Sequence, residues 1–204
     1  MVILPTIIVL IIIYNYYISK STKNLKNANI FIEKERRANS ARKSPLPPEI
    51  FLRADERNLP YEEGGGERVK QLSKNRLLRF DTDISNTELK LKYGVSQLSD
   101  IVSYEENYNM CVKAMIDWAR GLIGNAKLPQ AASVLEETIR LKSDYSDSYT
   151  LLIDIYEELQ DTPRMNRLYD KIWEREFLFD QKITRDKIRG YMQKYEEKFE
   201  GNLE

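Results

Sequence analysis

Histidine is absent from this 204-residue sequence, and cysteine occurs once, as Cys111. Without histidine the usual zinc sites, histidine-ligated haem and Ser-His or Cys-His pairs cannot be assembled. A lone cysteine excludes an internal disulfide framework and fits a reducing compartment. Cys111 lies in an apolar helical stretch and reads as a packing residue rather than a nucleophile. Glycine is scarce, at 8 residues, and three of them are consecutive, Gly64-Gly65-Gly66. That run lacks the Lys-Ser/Thr pair and the spacing of a phosphate-binding loop, so it reads as a hinge. Net charge is zero, 32 Lys and Arg against 32 Asp and Glu. The expectation is a non-enzymatic protein with no catalytic residue, no cofactor and no metal site.

The charge that is present is unevenly laid out. Lys20, Lys23, Lys26, Lys34, Arg36, Arg37, Arg42 and Lys43 cluster within residues 19–43 against only Glu33 and Glu35, which leaves the remainder mildly acidic. Nucleic-acid binding does not fit an acidic body, and the basic stretch has no aromatic platform interleaved with it beyond Phe31. Ahead of this stretch, residues 2–18 carry no charge and are dominated by Ile, Leu and Val, just long enough to cross hydrocarbon. No basic residue precedes the run and no small-residue cleavage site follows it, which argues against a cleaved signal peptide. A buried core helix is the other alternative. Tyr14, Tyr16 and Tyr17, followed by Lys20, Lys23 and Lys26, suit the membrane–water interface, and the lysines place the C-terminal body in the cytoplasm with the N-terminus outside. The same lysines can also lie on anionic headgroups.

The segments that follow are residues 1–19 as anchor, 20–66 as a basic, proline-bearing tether, 67–110 as an N-terminal helical segment of the body, 111–179 as paired helices and 180–204 as a C-terminal capping helix. Pro45, Pro47 and Pro48 mark the tether, with a helical start around Asn27 to Arg37. Ser85-Asn86-Thr87-Glu88 has the form of a capping box opening a short helix to Tyr93, ended by Gly94. Asp81 and Asp83 offer two carboxylates, too few oxygen ligands for a convincing cation site.

The body repeats itself. Met115, Trp118, Ala119, Leu122, Pro129, Ala131 and Leu135 return 34 residues later as Tyr149, Leu152, Ile153, Tyr156, Pro163, Met165 and Tyr169. Pro129 and Pro163 each sit where a helix opens and a missing amide costs nothing. These residues resemble the tetratricopeptide repeat (TPR) family over about Val112 to Phe177, with Ile153 and Met165 bulkier than the family prefers and no proline at Ser143 or Phe177. The resemblance implies an all-α fold, a TPR-like solenoid of helical hairpins preceded by a single transmembrane helix and a flexible tether. It also implies a groove lined by the first helix of each pair, here Lys113, Ile116 and Arg120, then Asp147, Thr150, Asp154 and Glu157. The asparagines of the family's chaperone-tail clamp are replaced by Ile116 and Arg120.

The expected function is a membrane-anchored cytoplasmic adaptor that holds a protein partner, a peptide or helix, in this groove. An accessory or assembly subunit of a larger membrane complex is the alternative. A metal-dependent enzyme built on Asp81 and Asp83 is a remote third.

Overall fold

The computed structural model describes residues 3–80, 84–174 and 182–200. The chain is mostly helical and divides into two compact units, Met1–Pro45 with Ile84–Leu98, and Leu46–Asp83 with Ser99–Glu204.

In the first unit, helix α1 (Ile3–Asn39) runs without interruption for 37 residues. No Gly or Pro occurs between Thr6 and Ser44, so nothing in that stretch breaks the backbone hydrogen-bond ladder. Glu33 reaches Arg36 and Arg37 at 3.0 Å along the helix surface, and Ser40 closes the last turn with its hydroxyl 2.7 Å from the Arg36 carbonyl. The tether expected over residues 20–66 is therefore helical in its first part. The side chains of residues 3–12 lie outside the described set, as does Val2; among the described residues no helix is long and apolar enough to cross a membrane. A second helix of this unit, here called α3 (Asn86–Tyr93), opens on the capping box: Ser85 accepts from the Glu88 amide and Glu88 accepts from the Ser85 amide. It closes on Gly94, whose φ of +85° suits glycine. Glu35 of α1 accepts hydrogen bonds from Thr87 and Lys90, and Ala38 is fully buried.

In the second unit, strands β1 (Phe51–Leu52) and β2 (Leu77–Leu78) pair antiparallel, with Phe51 opposite Leu78. Between them lie two short 3-10 helices, Glu56–Asn58 and Tyr61–Glu63, and helix α2 (Glu67–Leu72), which buries Val69. This is the stretch read as the second half of a tether, and it is folded instead. Tyr61 stacks on Trp118 with ring centroids 5.4 Å apart, and the Trp118 indole N–H donates to the Gly64 carbonyl at 2.9 Å. Gly64-Gly65-Gly66 is thus not a hinge. A Cβ on Gly66 would stand 2.7 Å from both rings, so glycine is needed to let the backbone reach them.

The described residues of the unit continue as helices α4 (Leu98–Gly124), α5 (Leu128–Arg140), α6 (Ser146–Glu158), α7 (Thr162–Glu174) and α8 (Lys182–Glu200). The boundary expected between residues 110 and 111 falls inside the single helix α4. The 34-residue period appears in the backbone itself. Lys127 N–H donates to the Leu122 carbonyl at 2.9 Å and Asp161 N–H to the Tyr156 carbonyl at 2.9 Å, each across a left-handed residue, Ala126 (φ +57°) and Gln160 (φ +55°). These 6→1 bonds satisfy carbonyls that a helix end would otherwise leave open. Between the two hairpins, Ser143 N–H makes the same bond to Thr138, which explains why proline, lacking that donor, is not found there. Met115 and Tyr149, Trp118 and Leu152, Ala119 and Ile153, Leu122 and Tyr156, and Ala131 and Met165 are all buried. Each pair of positions meets one core, which α8 joins through Ile188, Met192 and Tyr195.

Candidate binding face

The residues expected to line a groove lie on α4 and α6, and most are engaged within the chain. Ile116 and Thr150 are buried. Lys113 is exposed and lies over the Tyr145 ring, 5.6 Å from its centroid. Arg120 pairs with Asp117 at 2.9 Å and also with Asp147, which links α4 to α6.

Helix α8 supplies the other partners. Lys187 sets its ammonium 3.0 Å from Asp147 and from the Ser146 hydroxyl. Tyr195 and Tyr191 both donate to the Asp154 carboxylate. Burial raises the Asp147 pKa, but the hydrogen bond from Lys187 and the charges of Lys187 and Arg120 outweigh it and hold the carboxyl below the usual range. Burial, then hydrogen bonding to Asp154 and Glu157, pushes the Tyr195 phenol far up, so it stays a donor. The face of α6 read as open to a partner thus carries the chain's own last helix. Lys187, Tyr191 and Tyr195 were not singled out as site residues. They lie in the segment expected to cap the body, and no local signal says which surface a capping helix covers.

On the α4 side, an open cleft of about 450 Å³ is lined by Gly64, Gly65, Arg68, Asp117, Trp118 and Gly121 among others. Its mixed charges suit a polar peptide better than a simple anion.

Glu137 is another residue that sequence reading passed over. Only 3% exposed, it accepts the Asp55 amide at 2.6 Å and the Arg140 guanidinium at 2.6 Å, fastening the segment around Asp55 to α5. Cys111 is buried, and burial, with a smaller contribution from Glu137, pushes its thiol up to about 11, so little thiolate forms near neutrality. Tyr14, Tyr16 and Tyr17 are exposed on α1, as are Lys20 and Lys26; the Lys23 side chain lies outside the described set. Asp81 and Asp83 also lie outside the described residues, and among those described no three metal-ligating side chains cluster.

No protein-family model matches the chain, and neither characterised proteins nor solved structures give a match.

Proposed function

We propose that this chain is a single-pass membrane protein whose TPR-like body holds a protein partner at the cytoplasmic face. The observation that carries this reading is the recurrence of one turn geometry at Ala126 and Gln160, joined to buried positions at the same 34-residue spacing. Stacked hairpins of this kind form extended surfaces suited to other chains rather than pockets suited to chemistry. Residues 2–18 form the anchor, and the lysines after them set its orientation. The uninterrupted α1 then stands out from the bilayer by about 30 Å at roughly 1.5 Å per residue.

With α8 on α6, the partner's place is the α4 side, along Lys113, Asp117 and the Trp118 cleft. Two experiments test this. Membrane fractionation of the full-length tagged chain should find it in the bilayer and resistant to alkaline extraction; recovery in the soluble pool would remove the anchor. Affinity purification from membranes should recover a protein partner whose yield falls when Lys113→Glu and Asp117→Arg are combined. Unchanged recovery would move the partner off this face.

A further inference from the structure

Leu152 and Tyr156 follow Asp147 by five and nine places, which at about 3.6 residues per turn puts them close to half a turn round α6 from the face that α8 covers. There a half-open cavity of about 270 Å³ is framed by α5, α6 and α7, with Ile139, Leu152 and Leu168 of the core at its base. Sites that enclose a whole small molecule run to roughly 300–1,000 Å³, so this one has room for a side chain of something larger rather than for a cofactor.

Positive charge gathers on the α7 rim. Arg167 and Lys171 follow Arg164 by three and seven places, so all three share one face of α7 with Leu168. Arg164 is already engaged: it pairs with Asp161 at 2.6 Å, lies 3.7 Å from Glu136 and stands over the Tyr156 ring, whose hydroxyl donates to Glu136. Arg167 and Lys171 are exposed, and among the described residues no carboxylate comes within the 4.0 Å of an ion pair to either. Two neighbouring cations without a counter-ion attract negative charge, in a body that is acidic outside residues 19–43.

We infer that this cavity docks an acidic amphipathic helix, which sets one apolar side chain over Leu168 and a carboxylate on each of Arg167 and Lys171. The two cations stand about 6 Å apart along α7 at roughly 1.5 Å per residue, which is the spacing of two carboxylates one turn apart on a partner helix. An inorganic anion would leave the apolar base uncovered. Nucleic acid fits less well, because the Glu136 carboxylate on the α5 rim repels a continuous line of phosphates, and the one ring at the site already lies under Arg164. This site does not depend on the α4 side, so either can fail alone.

Fluorescence anisotropy tests it, with the full-length chain in detergent titrated into a labelled alanine-based helical peptide carrying one Glu-Ala-Ala-Leu-Glu motif. Arg167→Glu/Lys171→Glu should weaken binding at least tenfold with an unchanged urea midpoint, since both side chains are exposed, and Arg167→Gln/Lys171→Gln should weaken it less. Serine in place of the peptide leucine should cost several-fold, and glutamine in place of both glutamates should abolish binding. Lys20→Gln/Lys26→Gln should bind as the native chain does, which separates this site from the basic stretch of α1. No binding, equal affinity for the charge-reversed protein or the serine peptide, displacement by inorganic phosphate at the peptide's own concentration, or a matching loss in Lys20→Gln/Lys26→Gln would each overturn the inference.

Discussion

The Tyr195 hydroxyl donates to the carboxylate of Asp154, so an oxygen on the α6 face is held by the chain's own last helix. The same helix sets Lys187 on Asp147. A surface that looks free when the repeat is read alone is closed in the folded chain, and this gives the first expected outcome.

Tyr195→Phe should loosen α8 by about 1.5–3 kcal/mol, the usual worth of a hydrogen bond to a charged group. Amide hydrogen exchange should accelerate within residues 186–195 and leave α4 and α5 unchanged. Equal protection in both proteins would mean that the remaining contacts, those of Lys187, Ile188, Tyr191 and Met192, hold the helix.

Glycine substitutions should separate by position. Gly66→Ala forces a Cβ to 2.7 Å from the Tyr61 and Trp118 rings and should cost about 1–3 kcal/mol through overpacking. Gly121→Ala meets nothing within 4 Å on a helix and should stabilise by about 0.5–1 kcal/mol. Urea unfolding followed by tryptophan fluorescence checks both signs.

Glu137→Ala should destabilise the second unit by about 1–3 kcal/mol, because the Asp55 amide loses its acceptor and Arg140 its partner. Glu137→Gln should cost less, since its amide oxygen can still accept from Asp55. Midpoints of urea denaturation for the two variants supply the comparison.

The contact between Glu35 and α3 should be acid-sensitive. Hydrogen bonds from Thr87 and then Lys90 lower the Glu35 pKa below its usual 4.5. A depressed carboxylate contributes stability that is present above 4.5 and lost as pH falls through the lower folded value. Exchange of the α3 amides, corrected for intrinsic rates, should quicken below that window, and Glu35→Gln should weaken the dependence, the remainder coming from Glu88, whose pKa the Ser85 hydrogen bonds also lower.

Several elements were legible in the residues. Ser85 and Glu88 announced a capped helix start, Gly94 its end, and the prolines at 129 and 163 the openings of α5 and α7. These are local signals, set by hydrogen bonds within a few residues, and local chemistry is what a sequence displays. The 34-residue spacing was equally plain, because equivalent positions must bury the same face.

The tether and the hinge were misread because polarity, proline and glycine say that a segment is irregular and not whether it packs. Tyr61 on Trp118 and Asp55 on Glu137 join residues far apart in the chain, and only folding brings them together. The sequence by itself determined the capped start of α3 and the paired openings of α5 and α7, because those follow from capping and period. Tertiary structure alone decided that the glycine run lies against an indole and that α8 covers α6, since burial rewards whichever surfaces meet and no local rule names the partner.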